Sequence, residues 1–101
     1  MTTALRIAVL PGDGIGPEVT SEAVAVLESV AEHLSDLHFE FTEHPVGVGE
    51  YLRSGNPLPE AAFEACRAAD AVLLGAMGLP DVRWPNGKEM TPQIDLRERL
   101  D

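Results

Sequence analysis

The first apolar run of the chain, Leu5 to Leu10 (LRIAVL), is short and partly β-branched, the pattern of a strand buried on both faces of a parallel sheet. A glycine-rich turn ends it. Beyond the turn, Ile15, Val19, Ala23, Val26, Leu27, Val30, Ala31 and Leu34 recur at helical spacing, which predicts a helix from about Pro17 to His33 with one apolar stripe. Pro17 suits the first turn of that helix, where a missing N–H breaks no hydrogen bond. In LHFEFTEH, Leu37, Phe39 and Phe41 alternate with His38, Glu40 and Thr42, the period of a half-exposed strand.

A short helix is expected around Val48 to Arg53, followed by a turn rich in Gly and Pro. Glu60 to Ala69 returns to helical spacing through Ala62, Phe63, Cys66 and Ala69, and AVLLG, Ala71 to Gly75, is again a continuous apolar strand. Met77 to Pro92 reads as loop, and QIDLRERLD as a helix whose pattern is still running at Asp101. Strands alternating with helices define an α/β class with a parallel sheet. Three strands and an unfinished helix leave a sheet edge unprotected. Residues 1–101 are therefore expected to be the front part of something larger. No repeat or linker marks a second domain.

Composition narrows the partners. The formal net charge of -10, from 7 basic and 17 acidic residues, offers no basic face for nucleic-acid phosphates. No apolar run approaches the roughly 18 residues of a membrane span. The single cysteine, Cys66, cannot form an internal disulfide, and MTTALRIAVLPG lacks the basic flank and apolar stretch of a signal peptide, so a cytoplasmic location is expected. Cys66 lies on an apolar helix stripe and reads as a buried small side chain.

The turn LPGDGIGPEV invites comparison with a phosphate loop. A dinucleotide-binding G-x-G-x-x-G needs its third glycine for close helix–strand packing. Gly12 and Gly14 fit, but Pro17 occupies the third position and Gly16 comes one residue early. Asp13 and Glu18 also put carboxylates beside the helix N-terminus, where they satisfy the dipole and repel a phosphate. The turn reads instead as a tight strand-to-helix connection beside a site of another kind. His33, His38 and His44 have no ligand spacing, and Asp81, Glu89 and Asp95 do not form a metal cluster, so no metal ligand is assigned within the chain. Trp84 either covers the following loop or anchors it.

Three strings in order, LPGDGIGPEV after the first strand, AVLLGAMGLP after the third and DLRERLD on the last helix, resemble the N-terminal portion of the β-decarboxylating dehydrogenases, the isopropylmalate, isocitrate and tartrate or malate dehydrogenase group. The resemblance covers essentially the whole chain and implies that residues 1–101 are the N-terminal segment of the first α/β domain, the remainder of the enzyme being absent. It implies the isopropylmalate/isocitrate dehydrogenase-like fold, distinct from the Rossmann fold, and a homodimer when full length. It also implies NAD or NADP and Mg2+ or Mn2+ as cofactors, and oxidative decarboxylation of a small 2-hydroxy dicarboxylic acid. In that family the metal-binding aspartates and the proton-handling Lys and Tyr lie beyond residue 101, so the resemblance implies no catalytic residue and no activity for this chain alone. Arg97 matches the first substrate-carboxylate arginine, with Thr91, Gln93 and Ile94 as neighbouring substrate contacts. Leu79 to Met90 matches the cofactor-side loop. Ile15, Gly75, Gly78, Leu79 and Met90 are the implied cofactor contacts.

The chain departs from both well-known specificities of the family. An isopropylmalate enzyme has an acidic residue and two leucines where this chain has Met90, Gln93 and Ile94, and burying the Gln93 amide against an alkyl group is costly. An isocitrate enzyme has Ser and Asn where this chain has Thr91 and Gln93. Neither pattern is met in full, which leaves a compact polar acid of the malate or tartrate kind, or the acid of another relative, open beside the 3-isopropylmalate and isocitrate types, and the family stands ahead of any one substrate. The alternatives are a non-catalytic α/β interaction or regulatory module that keeps the front of the fold, and a free-standing flavodoxin-like nucleotide domain.

Overall fold

The computed structural model describes residues 2–100. In chain order the elements are β1 (Thr3–Leu10), α1 (Gly16–Glu32), β2 (Leu37–Glu43), α2 (Val48–Ser54), α3 (Glu60–Ala68), β3 (Ala71–Leu74) and α4 (Pro92–Leu100). β1 is central and parallel to both neighbours, in the order β2-β1-β3, with Ile7 opposite Phe41 and Leu10 opposite Leu74. Because the crossovers run to opposite sides of β1, the order of the sheet reverses there. All three strands end on the same edge, and their exit segments meet above it. In open α/β sheets such a switch point is where ligands bind.

The alternation along β1 assigns its side chains to two faces. Ala8 and Leu10 join Val46, Leu58, Ala62, Phe63, Cys66 and Leu96 in one buried cluster under α3 and α4. Val9 shares the opposite wall with Phe41 of β2 and with Thr20 and Val24 of α1. Cys66 is only 4% exposed, and burial pushes its thiol above the usual value, as befits a packed small apolar group. α4 is fastened to α3 by Arg99, whose guanidinium lies 3.7 Å over the Phe63 ring and donates to Glu60 at 2.8 and 3.0 Å.

Two expectations need correction. β1 begins at Thr3 rather than Leu5, because Thr3 and Ala4 already pair with Leu37 and His38, and only Ile7 to Leu10 are buried. The apolar stripe of α1 divides. Gly16 and Thr20 are buried and Ala23, Leu27 and Ala31 half-buried toward the sheet, whereas Val19, Val26 and Val30 lie on an outer face with 45% or more of each exposed. On α4, Leu96 is buried while Leu100, one turn further on, is 39% exposed. With these faces open the described residues extend over 52 × 25 × 20 Å, and the radius of gyration of 14.8 Å exceeds the ~13 Å of a closed domain of this size.

The connection after β3 is held against the turn after β1 by close backbone approach. A Cβ on Gly75 would stand 2.2 Å from the Pro11 carbonyl oxygen and 2.5 Å from Thr20 Oγ1, and one on Gly12 would stand 2.0 Å from the Ala76 carbonyl oxygen. The alternating glycines thus bring two backbones together. Gly14 is the contrasting case, with open space around its Cβ direction but a φ of +56°. In the full-length protein, urea unfolding should show Gly75→Ala destabilised by about 3 kcal/mol through overpacking. Gly14→Ala should cost only about 1 kcal/mol, its left-handed backbone being the sole penalty. The reverse order would contradict the packing.

Candidate functional site

α2 begins without a capping side chain of its own: its N-cap is Gly47, at φ 135°. The helix's first N–H groups still need acceptors. They find them on Asp13, from the turn after β1. Its Oδ2 accepts from Val48 N–H at 2.7 Å and its Oδ1 from Gly49 N–H at 2.8 Å, and Oδ2 also accepts from Gly78 N–H, in the segment after β3, at 2.9 Å. The Asp13 N–H in turn donates to the Ala76 carbonyl at 2.7 Å. Asp13 is 7% exposed. The sequence reading gave this carboxylate to the N-terminus of α1; the structure gives it to α2, and α1 has no side-chain cap.

Val48 and Gly78 then form part of the wall of a cleft of about 390 Å³, together with Met77, Leu79, Pro80, Val82, Arg83, Glu89, Met90, Thr91 and Gln93. Five residues singled out from the sequence, Gly78, Leu79, Met90, Thr91 and Gln93, converge here. Met90 is buried, and Gly78, at φ 118°, has open space where a Cβ would stand. The Gln93 Oε1 is buried with no hydrogen-bond partner among the described residues. A buried amide oxygen without a donor is uncommon and costs about 1–3 kcal/mol. The residue lines the cleft while this oxygen stays out of reach of solvent.

The other four residues are not in the lining of this cleft. Arg97 is one helical turn beyond Gln93, on the same side of α4. It is exposed and has no carboxylate or carbonyl acceptor among the described residues, whereas Arg53, Arg67, Arg83 and Arg99 each pair with a glutamate and Arg6 donates to Ala68 O. Ile94 is 46% exposed beside it, and Ile15 is 61% exposed at the start of α1. Gly75 is packed beneath the Pro11 carbonyl. Trp84 anchors the 79–90 loop: its ring meets Tyr51 of α2 edge-on at 5.1 Å, and its backbone bonds Gly87 and Lys88 across a tight turn.

A second hollow, of about 560 Å³, opens on the other side of Asp13 and is lined by Pro17, His44, Glu50 and Arg53, among others. Glu50 is buried, and its carboxylate takes a bidentate fork from Arg53 at 2.7 and 2.9 Å. Those hydrogen bonds outweigh desolvation and hold its pKa below the ordinary 4.5. No group of three His, Cys, Asp or Glu among the described residues converges to hold a metal.

Sequence reasoning missed Asp13 and Val48 as shapers of the cleft. The available signal was Gly47, a glycine heading a helix that had no Ser, Thr, Asp or Asn at its cap.

The isocitrate/isopropylmalate dehydrogenase family model matches residues 6–101, and the chain belongs to that family. It is 50% identical over 100 residues to the 3-isopropylmalate dehydrogenase of Bacillus licheniformis, covering 95% of this chain and 26% of that protein. The 3-isopropylmalate dehydrogenase of Eremothecium gossypii is 47% identical over 102 residues, covering 99% and 27%. Among solved structures, a β-decarboxylating dehydrogenase from Thermococcus kodakarensis is similar with a TM-score of 0.72 at 40% identity, over 95% of this chain and 26% of that one. The isocitrate dehydrogenase of Methylococcus capsulatus gives 0.77 at 26% identity, with the same coverages. The α/β layer is therefore that of the isopropylmalate/isocitrate dehydrogenase fold, and the chain spans about a quarter of the length of these relatives.

The Glu50–Arg53 pair carries a pH prediction. A carboxylate whose folded pKa lies below its unfolded one binds fewer protons when folded. Its stabilisation is complete above the unfolded value, near 4.5, and is lost as pH falls through the lower folded value. Acid unfolding of the full-length protein should therefore be less steep below pH 4.5 in Glu50→Gln than in the wild type. Equal slopes would mean that Glu50 contributes nothing to acid sensitivity.

Proposed function

We propose that this chain is the N-terminal segment of the first domain of an NAD(P)-dependent, divalent-metal-assisted dehydrogenase that oxidatively decarboxylates a 2-hydroxy dicarboxylic acid. The observation that carries the reading is the pairing on α4 of Arg97, without a protein acceptor among the described residues, with Gln93, whose buried oxygen lacks a donor in the cleft. A guanidinium binds a carboxylate through two parallel hydrogen bonds, so Arg97 holds one end of the acid. Thr91, Gln93 and Ile94 meet its remaining substituent. Gly78, Leu79 and Met90 form the cofactor side of the same cleft, with Ile15 and Gly75 at the turn beside it.

The fit to a nicotinamide cofactor, NAD or NADP, rests on the open space at Gly78, on the same cleft wall as Leu79 and the buried Met90. A bound nicotinamide would supply the acceptor for the hydride of the hydroxyl-bearing carbon, and Mg2+ or Mn2+ would supply a positive charge for the substrate oxygens. The metal would be held by residues outside this chain, as would the proton-transferring groups, so the 101 residues alone are inactive. By the family pattern the whole enzyme is a cytoplasmic homodimer acting on a small molecule, with neither nucleic acid nor membrane as partner. No helix of the described residues is long and apolar enough to cross a membrane.

The curated relatives carry the name 3-isopropylmalate dehydrogenase, but an alkyl substituent would leave Gln93 unsatisfied. A hydroxyl or a small polar group would satisfy either end of the amide. The reading therefore favours an acid with a polar substituent, of the malate or tartrate type, over isopropylmalate.

The full-length protein with Mn2+, assayed against D-malate, tartrate, isopropylmalate and isocitrate with NAD and NADP in turn, should reduce cofactor with at least one acid. Arg97→Ala should lower kcat/KM for that acid by about 2–4 kcal/mol, roughly 30- to 1000-fold. No turnover with any acid would favour a non-catalytic module, and an unaffected variant would make Arg97 a surface residue.

A further inference from the structure

We infer that Asp13 is a positioning residue: its carboxylate fixes the two walls of the cleft, Val48 and Gly78, relative to each other. The inference rests on the cleft being the substrate and cofactor site proposed above. Val48 opens α2 and Gly78 follows β3, so no backbone ladder joins them. Both donate to the same oxygen, Asp13 Oδ2, at 2.7 and 2.9 Å. A shift of either wall therefore breaks or stretches a charge-assisted bond, about twice as strong as a neutral one.

The surroundings are shaped for that carboxylate. A Cβ on Gly47 would stand 2.6 Å from Oδ2, and one on Gly49 3.1 Å from Oδ1, so the loop before α2 leaves just enough room for the two oxygens. The segment after β3 is gripped twice, by the Asp13 N–H on the Ala76 carbonyl and by the carboxylate on the Gly78 N–H. Three N–H donors need two oxygens with free lone pairs. An asparagine has one; set at the Oδ2 place it keeps Val48 and Gly78 and turns its NH2 toward the Gly49 N–H, with which it cannot pair.

Asp13→Asn therefore keeps the clasp between the two walls, whereas Asp13→Ala removes it. In the full-length protein, with the acid and cofactor turned over by the wild type, Asp13→Ala should raise KM for the cofactor, whose side of the cleft Gly78 forms, about tenfold with kcat changed less than threefold, and Asp13→Asn should restore KM to within threefold of wild type. Leu58→Ala, in the buried cluster and away from the cleft, should lower Tm with KM unchanged. An Asp13→Ala KM within twofold of wild type would overturn the inference and leave Asp13 a purely structural cap. Hydrogen exchange supplies a readout without turnover: in Asp13→Ala the amides of Gly78 and Val48 should exchange at least tenfold faster, while the β1 amides keep wild-type protection. Unchanged exchange at Gly78 in Asp13→Ala would also overturn it. A wild-type protein inert toward every acid would instead defeat the functional reading, with exchange still deciding the role of Asp13.

Discussion

Parallel strands end at one edge of a sheet, and the segments leaving them carry backbone N–H groups that no ladder can satisfy. Here a single carboxylate serves three of them. Asp13, leaving β1, receives N–H groups from the start of α2 and from the segment leaving β3, over sequence separations of 35, 36 and 65 residues. With Asp13 buried at 7% exposure, an unpaired charge there would be strongly destabilising. The carboxylate therefore ties the three exits to one another, beside the backbone bonds that join Asp13 to Ala76 and Gly75 to Leu10, and the cleft between them inherits that arrangement.

The same clasp explains the glycines of the first turn. Alternating glycines beside a helix N-terminus usually suggest a backbone that approaches phosphate. In this protein the space at Gly12 and Gly75 is taken by carbonyl oxygens of the neighbouring segment. Protein backbone fills the place that a phosphate loop leaves for its ligand. The ligand-sized space opens further along, between Gly78 and Gln93, where a loop anchored by Trp84 on Tyr51 faces a helix anchored by Arg99 on Phe63.

Local periodicity made every helix and strand legible, because the alternation of LHFEFTEH and the continuous runs of LRIAVL and AVLL reflect which faces are covered. The apolar pattern of α1 was less reliable. Val19, Val26 and Val30 satisfy helical spacing as well as Ala23, Leu27 and Ala31, and only the sheet decides which set it covers. Five site residues close in sequence or tied to one motif converged on the cleft, whereas Asp13 was assigned to the wrong helix. Its partners are backbone amides, which leave no residue-type signature. The glycine at the head of α2 was the trace of it.

The central claim is that the clasp at Asp13 holds a substrate cleft in shape. A crystal structure of the full-length protein with D-malate bound tests it most directly. The account predicts an acid carboxylate on Arg97, a polar group of the ligand within hydrogen-bond distance of the Gln93 amide, and Asp13 still bonded to Val48, Gly49 and Gly78. An acid bound away from this cleft, or a Gly78 amide turned away from the Asp13 carboxylate, would contradict it.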